Sequence, residues 1–299
     1  PQAHLGVRRD VQIVRGVPPQ ADRGHVRAAQ LVHEHTANAR GTGVARPADL
    51  HSVKIEGPAS RRNSVACYRA MVEAAAASGI VAIHCEKPMA STWGDAKALY
   101  QTCVDHDVLI TFCHQRRFGP TFVKTKELLD SGTIGELQRL EGTCSNLFDW
   151  GTHWFDMFFF YNGEVPAEWV IGQIAVDEES QGFGVPLETS GLSWIRWQNG
   201  VEGLLATGGA SLQGPRNRLV GSEGIIEVGG PDRAPMRLLR HGAAWEEFGD
   251  ANLEAVVPPG GDTVLSVLDL VTCLASGEEP RLSGRKALQA TELIFATYE

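Results

Sequence analysis

The chain has 299 residues, of which 43% are hydrophobic, and this length exceeds what one hydrophobic core usually organises, so we expect two domains. A formal charge of -9 at pH 7 argues against a broad nucleic-acid surface, because backbone phosphates would be repelled. Six scattered cysteines without a CxxC pair indicate reduced thiols, as in a cytoplasmic protein, and no apolar run is long enough to span a bilayer. These features favour small-molecule chemistry without nucleic acid or membrane as partner.

The first part of the chain predicts a sheet covered by helices. Residues 11–16 and 50–55 are short strand candidates, with a weak helix candidate at 19–34 between them. The pattern then sharpens into alternating elements: helix 68–79, strand 80–85, helix 92–107, strand 108–112 and helix 120–129. Helices that alternate with short apolar strands imply right-handed crossovers and a parallel sheet.

Past Gly135 the pattern changes to strands of period two, which indicates a sheet with one solvated face and mostly antiparallel strands. The candidate strands are residues 137–144, 167–174, 190–198, 201–207, 217–220 and 224–228. Asn199-Gly200 predicts a tight hairpin with positive φ at both positions. A helix at 261–276 is expected to direct an apolar set into the core: Val264, Leu265, Val267, Leu268 and Leu270. The fold class is therefore an α/β half followed by an open antiparallel sheet.

Lys87 is the first candidate for chemistry. It follows the buried strand at 80–85, and Pro88 behind it disfavours a helical conformation for Lys87. The carboxyl edge of an open α/β sheet is where such folds bind ligands. Partial desolvation there would lower the pKa of this lysine and make it usable as a general acid or base. The simpler alternative is a solvent-facing lysine in a turn.

Asp149 and His153 form the second candidate pair. They are four residues apart and share one face if a helix begins near Trp150. A carboxylate beside an imidazole fixes its tautomer and favours its protonated form. The alternative makes Asp149 the N-cap of that helix and His153 a satisfied surface residue. His153 and Asp156 also have the spacing of metal ligands, but no third ligand is evident, so we predict no metal site.

Four motifs recur in a recognisable order: residues 82–88 (AIHCEKP), residues 114–118 (HQRRF), residues 134–136 (IGE) and Asp149-x-x-x-His153. From about residue 63 onwards the chain resembles the glucose-fructose oxidoreductase / inositol dehydrogenase / MocA family. The resemblance implies a Rossmann-type dinucleotide-binding domain over residues 1–117. It implies a substrate-binding and oligomerisation domain with a large, open, mostly antiparallel sheet over residues 118–299.

The resemblance also assigns roles. Lys87 and His153 become the proton-transfer pair beside the substrate carbon that exchanges hydride with nicotinamide, and Asp149 becomes a partner of a substrate hydroxyl or of the histidine. The cofactor, NAD or NADP, would contact residues 86–88, namely Glu86, Lys87 and Pro88. Either Arg116 or Arg117 would line the substrate side and bind hydroxyls or a carboxylate. The alternative for these arginines is a bracing role at a strand end.

The implied function is hydride transfer between NAD or NADP and a secondary alcohol of a sugar, cyclitol or related polyol. The same resemblance implies a cytoplasmic homo-oligomer formed through the antiparallel sheet. Two alternatives stay open. One is a non-catalytic sugar-binding protein whose cofactor site has decayed, and the other is an NAD-assisted hydrolase or lyase.

The sequence departs from the family pattern at its beginning. The family opens with a strand and a Gly-x-Gly-x-x-Gly turn, whose N–H groups bind pyrophosphate, and no such element occurs here. Gly41-Thr-Gly43 lacks both a third glycine and a preceding strand, and Val17-Pro-Pro replaces the expected acidic ribose ligand. Cys113 also replaces an asparagine common in the family. We therefore expect a chain cropped at both ends or altered by a frame error at 41–62, and weak binding of dinucleotide by the chain as given.

Overall fold

The computed structural model describes residues 9–15, 50–55, 64–176, 180–182, 185–230, 235–249 and 261–299. The chain divides into two compact units, Pro1–Cys113 and His114–Glu299. This division lies shortly before the boundary that the sequence predicted at residue 117. The difference matters for one residue, because the side chain of Arg117 is bonded entirely within the second unit.

The first unit contains a four-stranded sheet in the order β2-β1-β3-β4. Its elements are β1 (Arg9–Arg15), β2 (Leu50–Ile55), α1 (Ser64–Ala77), β3 (Ile80–Cys85), α2 (Trp93–Asp105) and β4 (Leu109–Phe112). Strands β3 and β4 are parallel, as predicted for strands joined by a helix. Strand β1 runs antiparallel to both β2 and β3, so the fully parallel arrangement expected here is wrong at β1. The helix predicted at 19–34 lies outside the described residues.

The helices of the first unit end and begin where their local chemistry requires. Gly79 follows α1 with φ of 73°, a left-handed conformation that costs glycine little. The Thr92 hydroxyl oxygen accepts the Asp95 N–H at 3.1 Å and caps α2. Apolar side chains from α2, β3 and β4 are fully buried, among them Leu99, Ile83 and Ile110. These elements present the carboxyl ends of β3 and β4 at one edge of the sheet.

The second unit contains an eight-stranded sheet in the order β14-β13-β12-β11-β5-β10-β9-β6. Only the β5–β10 pair is parallel, so the sheet is mostly antiparallel, as predicted. Its strands are β5 (Leu137–Cys144), β6 (Ala167–Ala175), β9 (Ser190–Trp197), β10 (Glu202–Thr207), β11 (Asn217–Gly221), β12 (Gly224–Val228), β13 (Met236–Arg240) and β14 (Glu246–Phe248). The short strands β7 (Ser180–Gly182) and β8 (Val185–Leu187) pair with each other.

Four helices accompany this sheet: α3 (Pro120–Asp130), α4 (Thr152–Tyr161), α5 (Gly261–Ser276) and α6 (Gly284–Tyr298). Helix α4 is buried at nearly every position, which explains why its sequence is apolar on all sides. Its Phe158 and Phe159 rings contact the fully buried Trp197 edge to face, each at 6.1 Å between centroids. The core of the unit is therefore built between α4 and the inner side chains of the sheet.

Two local expectations need correction. The hairpin between β9 and β10 is present, but only Gly200 has positive φ, because the Gly200 N–H bonds Trp197 O at 2.8 Å in a longer turn. In α5 the buried stripe is formed by Ser266, Leu270 and Cys273, whereas Leu268 is exposed. A helical period of 3.6 residues places position 268 on the face opposite that stripe.

Among the described residues, no helix is both long and apolar enough to cross a membrane. Within the same ranges no group of three or more His, Cys, Asp or Glu side chains could hold a metal ion. Five cysteines of the described part are buried free thiols: Cys85, Cys103, Cys113, Cys144 and Cys273.

Candidate functional site

The first part of the candidate site is the segment that follows β3. The Cys113 N–H donates to Cys85 O at 2.8 Å, which aligns the ends of the parallel strands β3 and β4. Lys87 follows at this carboxyl edge and is half-buried, and its peptide bond to Pro88 is cis. The next residues, Pro88 to Ala90, are buried. The structure thus places residues 86–88 at the sheet edge where the sequence predicted a ligand-facing lysine.

A second group of candidate residues, in the second unit, lies at the start of α4. A π-helical turn, Leu147–Gly151, leads directly into the helix. The Asn146 side-chain oxygen accepts the Asp149 N–H at 2.8 Å, so Asn146 is the N-cap. The alternative in which Asp149 caps the helix is therefore wrong. Asp149 instead lies in the first turn, where a carboxylate is favoured by the helix dipole, one turn before His153.

His153 is buried, not a surface residue, and it has aromatic neighbours. The ring of His114 lies 5.8 Å from its ring, centroid to centroid, at 76°, and the ring of Trp150 lies at 6.3 Å. His114 is itself buried, with Nε2 at 2.9 Å from Thr152 Oγ1 and Nδ1 at 3.4 Å from Asp156 Oδ1. The sequence marked His114 only as a motif member, and the structure places it beside the predicted catalytic histidine.

Arg117 is fully buried in a carboxylate cage. Its Nε and Nη2 donate to the two oxygens of Asp156, each at 2.8 Å, and its Nη1 donates to Glu164. Burial alone would lower the pKa of Arg117, but the charges and hydrogen bonds of Asp156 and Glu164 raise it above its ordinary value. These contacts correct the prediction that Arg117 lines the substrate side. They also engage Asp156, the second residue of the discounted metal pair.

Arg116, the preceding residue, has different surroundings. Its guanidinium carbon lies 4.6 Å from the centroid of the Trp154 ring, 5.5 Å from that of Trp150 and 5.8 Å from that of Phe122. Burial lowers the pKa of Arg116; nearby Asp262 opposes this and the charge of Arg216 adds to it. Arg116 therefore remains a cation held among aromatic rings near a second arginine.

Arg116 and Arg216 line one cavity of about 450 Å³ within the second unit. Small-molecule sites usually have volumes of roughly 300–1,000 Å³. The other residues of the wall come from the end of β5, the π turn, α3, α4 and the loops beside β11 and β12: Phe122, Cys144, Ser145, Trp150, Trp154, Leu212 and Gly229. Gly229 has φ of 64°, and a Cβ there would lie 2.9 Å from Arg216 Cγ, so glycine lets the Arg216 stem cross this loop.

The predicted residues are thus distributed over both units. Asp149, His153 and Arg116 lie together in the second unit, and Trp150 joins them because its ring is near both His153 and Arg116. Lys87 belongs to the first unit, so its pairing with His153 stays a prediction. Arg216, Trp150 and Trp154 were not predicted as site residues, since an arginine between two short strands and tryptophans on an apolar helix carry no recognisable signal in a sequence.

No protein-family model matches the chain. Among curated proteins it is similar to a D-apiose dehydrogenase of Rhizobium rhizogenes, with 40% identity over 73 residues, 24% of this chain and 21% of that protein. It is also similar to the myo-inositol 2-dehydrogenase of Thermotoga maritima, with 26% identity over 236 residues, 72% of this chain and 68% of that protein. The matched segments thus span between about a fifth and two thirds of these relatives.

Solved structures share the fold. A crystal structure of an oxidoreductase from Agrobacterium radiobacter in complex with NAD+, L-tartaric acid and magnesium has a TM-score of 0.61 and 22% identity, covering 78% of this chain and 74% of that one. The WlbA dehydrogenase from Bordetella pertussis, in complex with NADH and UDP-GlcNAcA, has a TM-score of 0.58 and 20% identity, covering 79% and 72%. At this identity the likeness establishes the common fold.

Proposed function

We propose that this chain, a relative of the glucose-fructose oxidoreductase / inositol dehydrogenase / MocA family in motifs and fold, catalyses hydride transfer between NAD or NADP and a secondary alcohol of a sugar, cyclitol or related polyol. The observation that carries the proposal is the Asp149–His153 turn beside a ligand-sized cavity lined by Arg116. The names of the curated relatives support the same class of substrate, since they include apiose and inositol dehydrogenases.

In this proposal the side chains of the chain move the proton while the carbon loses a hydride. When the alcohol is oxidised, its hydroxyl proton passes to Lys87 or His153, and in the reverse direction the same pair returns it. Asp149, one turn before His153, orients the imidazole or accepts a substrate hydroxyl. His114 contacts the His153 ring and Thr152, and we assign it a positioning role.

The residues at the sheet edge fit the nicotinamide end of a dinucleotide. The carboxyl ends of β3 and β4 are level, and the buried turn after Lys87 gives a closed floor beside it. Glu86, Lys87 and Pro88 would hold the cofactor there, and the nicotinamide supplies hydride acceptance when bound. The glycine turn that would bind pyrophosphate is not found among the 299 residues, so the chain as given is expected to bind dinucleotide weakly.

The direct test is turnover by the complete gene product with NAD or NADP and a panel of polyols and sugars. Lys87→Ala and His153→Ala are each expected to lower turnover by roughly a hundredfold or more, and His153→Ala should leave cofactor affinity nearly unchanged. Lys124→Ala and His241→Ala serve as matched controls, because Lys124 is a half-buried lysine on α3 paired with Glu127 and His241 is an exposed histidine in the loop after β13. Wild-type turnover in Lys87→Ala or His153→Ala would refute the role of that residue.

The non-catalytic alternative is separated by thermal unfolding. Only ligands that bind the native state raise its stability, so stabilisation by a polyol and none by dinucleotide in the complete gene product would favour a sugar-binding protein. Product analysis separates the hydrolase or lyase alternative, because those reactions leave no net change in nicotinamide.

We also propose that the chain forms a homo-oligomer through the outer face of the large sheet. Strands β6 and β9 expose four large apolar side chains there: Trp169, Ile171, Leu192 and Trp194. Ile171 is paired in register with Trp194, and the Trp169 and Trp194 rings are 5.3 Å apart, so the four form one patch. A contiguous exposed apolar patch is typical of an interface, and a second copy of the same sheet is the occupant we assign.

The five buried free thiols support a reducing compartment such as the cytoplasm.

A further inference from the structure

The cavity lined by Trp150 and Trp154 contains the guanidinium groups of Arg116 and Arg216, and among the described residues neither forms an ion pair with a carboxylate. Every other described arginine of the second unit forms an ion pair with an Asp or Glu side chain. Among the residues that the structure describes, neither Arg116 nor Arg216 has such a pair, and both line the same cavity. The two exceptions therefore coincide in space, at the place where we propose that the substrate binds.

The geometry of Arg116 suits recognition of a planar anion. The Trp154, Trp150 and Phe122 rings lie around its guanidinium, which restricts where the group can move. Its Nε is buried and has no hydrogen-bond partner within the described part of the chain. A buried donor without a partner is costly, and a carboxylate can accept from the guanidinium with two parallel hydrogen bonds.

The charges near the cavity indicate which kind of anion it binds. Arg116 and Arg216 contribute two positive charges, and Asp262, which interacts electrostatically with Arg116, contributes one negative charge. No carboxylate occurs among the residues of the wall. Asp149 and Glu188 add negative charge near Cys144 of the wall, so the surroundings match a carboxylate better than a phosphate ester, which carries about −1.5 to −2 at pH 7.

We infer that the substrate is a sugar acid or polyhydroxy acid, whose carboxylate is bound by Arg116 and Arg216 while a hydroxyl-bearing carbon faces His153. This inference rests on the proposed function for the identity of the bound molecule as substrate. Trp150, a residue of the cavity wall, lies with its ring 6.3 Å from the His153 ring and 5.5 Å from the guanidinium carbon of Arg116. We therefore place the hydroxyl-bearing end of the substrate on the Trp150 side of the cavity.

The experiment measures binding by calorimetry, without cofactor, for three matched pairs: D-galacturonate and D-galactose, D-glucuronate and D-glucose, D-gluconate and D-glucitol. At least one acid is expected to bind about tenfold or more tightly than its neutral partner, since hydrogen bonds to charged groups are the strong ones. Arg216→Gln and Arg116→Gln should each reduce that acid's affinity by about ten- to a hundredfold and reduce the affinity of the neutral partner by a clearly smaller factor. Arg139→Gln is the control, because Arg139 is an exposed arginine of the same sheet paired with Glu141.

Four results would overturn the inference. They are no binding by any acid, equal binding within every pair, equal weakening by Arg139→Gln, or tighter binding of D-glucose 6-phosphate than of every acid. Thermal unfolding of each variant shows whether it is folded. Arg216→Lys keeps the positive charge but lacks the paired donors of the guanidinium, so it should give an affinity between those of the wild type and Arg216→Gln. If the acids bind through the arginines and no nicotinamide-dependent turnover follows, the carboxylate-binding site stands as a ligand site and the proposed function fails.

Discussion

Arg116 and Arg117 are adjacent in the sequence, yet their side chains have opposite surroundings. Arg117 is enclosed by Asp156 and Glu164, whereas Arg116 lines the cavity without a carboxylate partner among the described residues. The sequence motif could only offer the two arginines together. The distinction depends on Asp156 and Glu164, some forty residues later in the chain, which no local pattern connects to Arg117.

The buried Arg117–Asp156 pair gives a stability prediction. Asp156→Ala would leave the Arg117 guanidinium buried without its main counter-charge and is expected to lower the free energy of unfolding by about 3–5 kcal/mol. Arg116→Gln, at the neighbouring position, should lower it by less than Asp156→Ala does, because it breaks no buried ion pair. Chemical denaturation of both variants checks the difference. Equal stabilities would contradict the structural role assigned to Arg117.

The loop before α6 contains a carboxylate, Glu279, whose charged form is stabilised by hydrogen bonds. Glu279 accepts hydrogen bonds from Arg285 Nε and Nη2, both at 2.9 Å, and from Ser283 Oγ at 2.7 Å. The Arg285 bonds are the main cause that lowers the pKa of Glu279 from 4.5 to about 2, against a smaller opposing effect of burial. Because the folded-state pKa is depressed, the resulting stability is present above pH 4.5 and is lost as the pH falls toward about 2.

Glu279→Gln tests the direction of this pKa shift. The difference in unfolding free energy between wild type and variant should be constant near neutral pH and shrink between pH 4.5 and about 2. Denaturation across that range measures it, with Glu247→Gln, an exposed carboxylate of β14, as the control. A difference that does not vary with pH would contradict the assigned hydrogen bonds.

Elements with strong local signals were predictable from the sequence, and those that depend on distant partners were not. Strand β5, strand β12 and helix α5 have the predicted bounds, since period and glycine boundaries mark them. Helix α6 and strands β13 and β14 were missed, because short strands at or next to a sheet edge and an amphipathic helix gain their stability from packing. The antiparallel direction of β1 was also missed, since hydrophobic period does not encode strand direction.

The candidate site was predictable only in part. Motif spacing offered Lys87, Asp149, His153 and Arg116 as candidates, and their roles stay predictions. The rest of the cavity wall, including Trp154 and Arg216, carried no such signal, because it comes from separate segments that the fold brings together. A sequence without a homologue alignment contains no local sign of such a convergence.

For the whole molecule, the outer face of the large sheet predicts self-association. Trp194→Glu would place a charge in the centre of the apolar patch and is expected to convert an oligomer into a smaller species, because burying an unpaired carboxylate is costly. Trp245→Glu is the matched control, since Trp245 is similarly exposed but packs on Arg237. Sedimentation gives the masses. A wild-type monomer, or a Trp194→Glu variant of unchanged mass, would contradict the proposed interface.

The proposed reaction is the transfer of a hydride from a secondary alcohol to nicotinamide. The most direct measurement uses substrates deuterated at the carbinol carbon, incubated with the complete gene product and NAD or NADP, with mass spectrometry of the nicotinamide. We predict that deuterium appears in the reduced cofactor, and that Lys87→Ala and His153→Ala slow its appearance by roughly a hundredfold. A product that forms while the nicotinamide gains no deuterium, or a complete protein that binds sugars and never dinucleotide, would contradict the account.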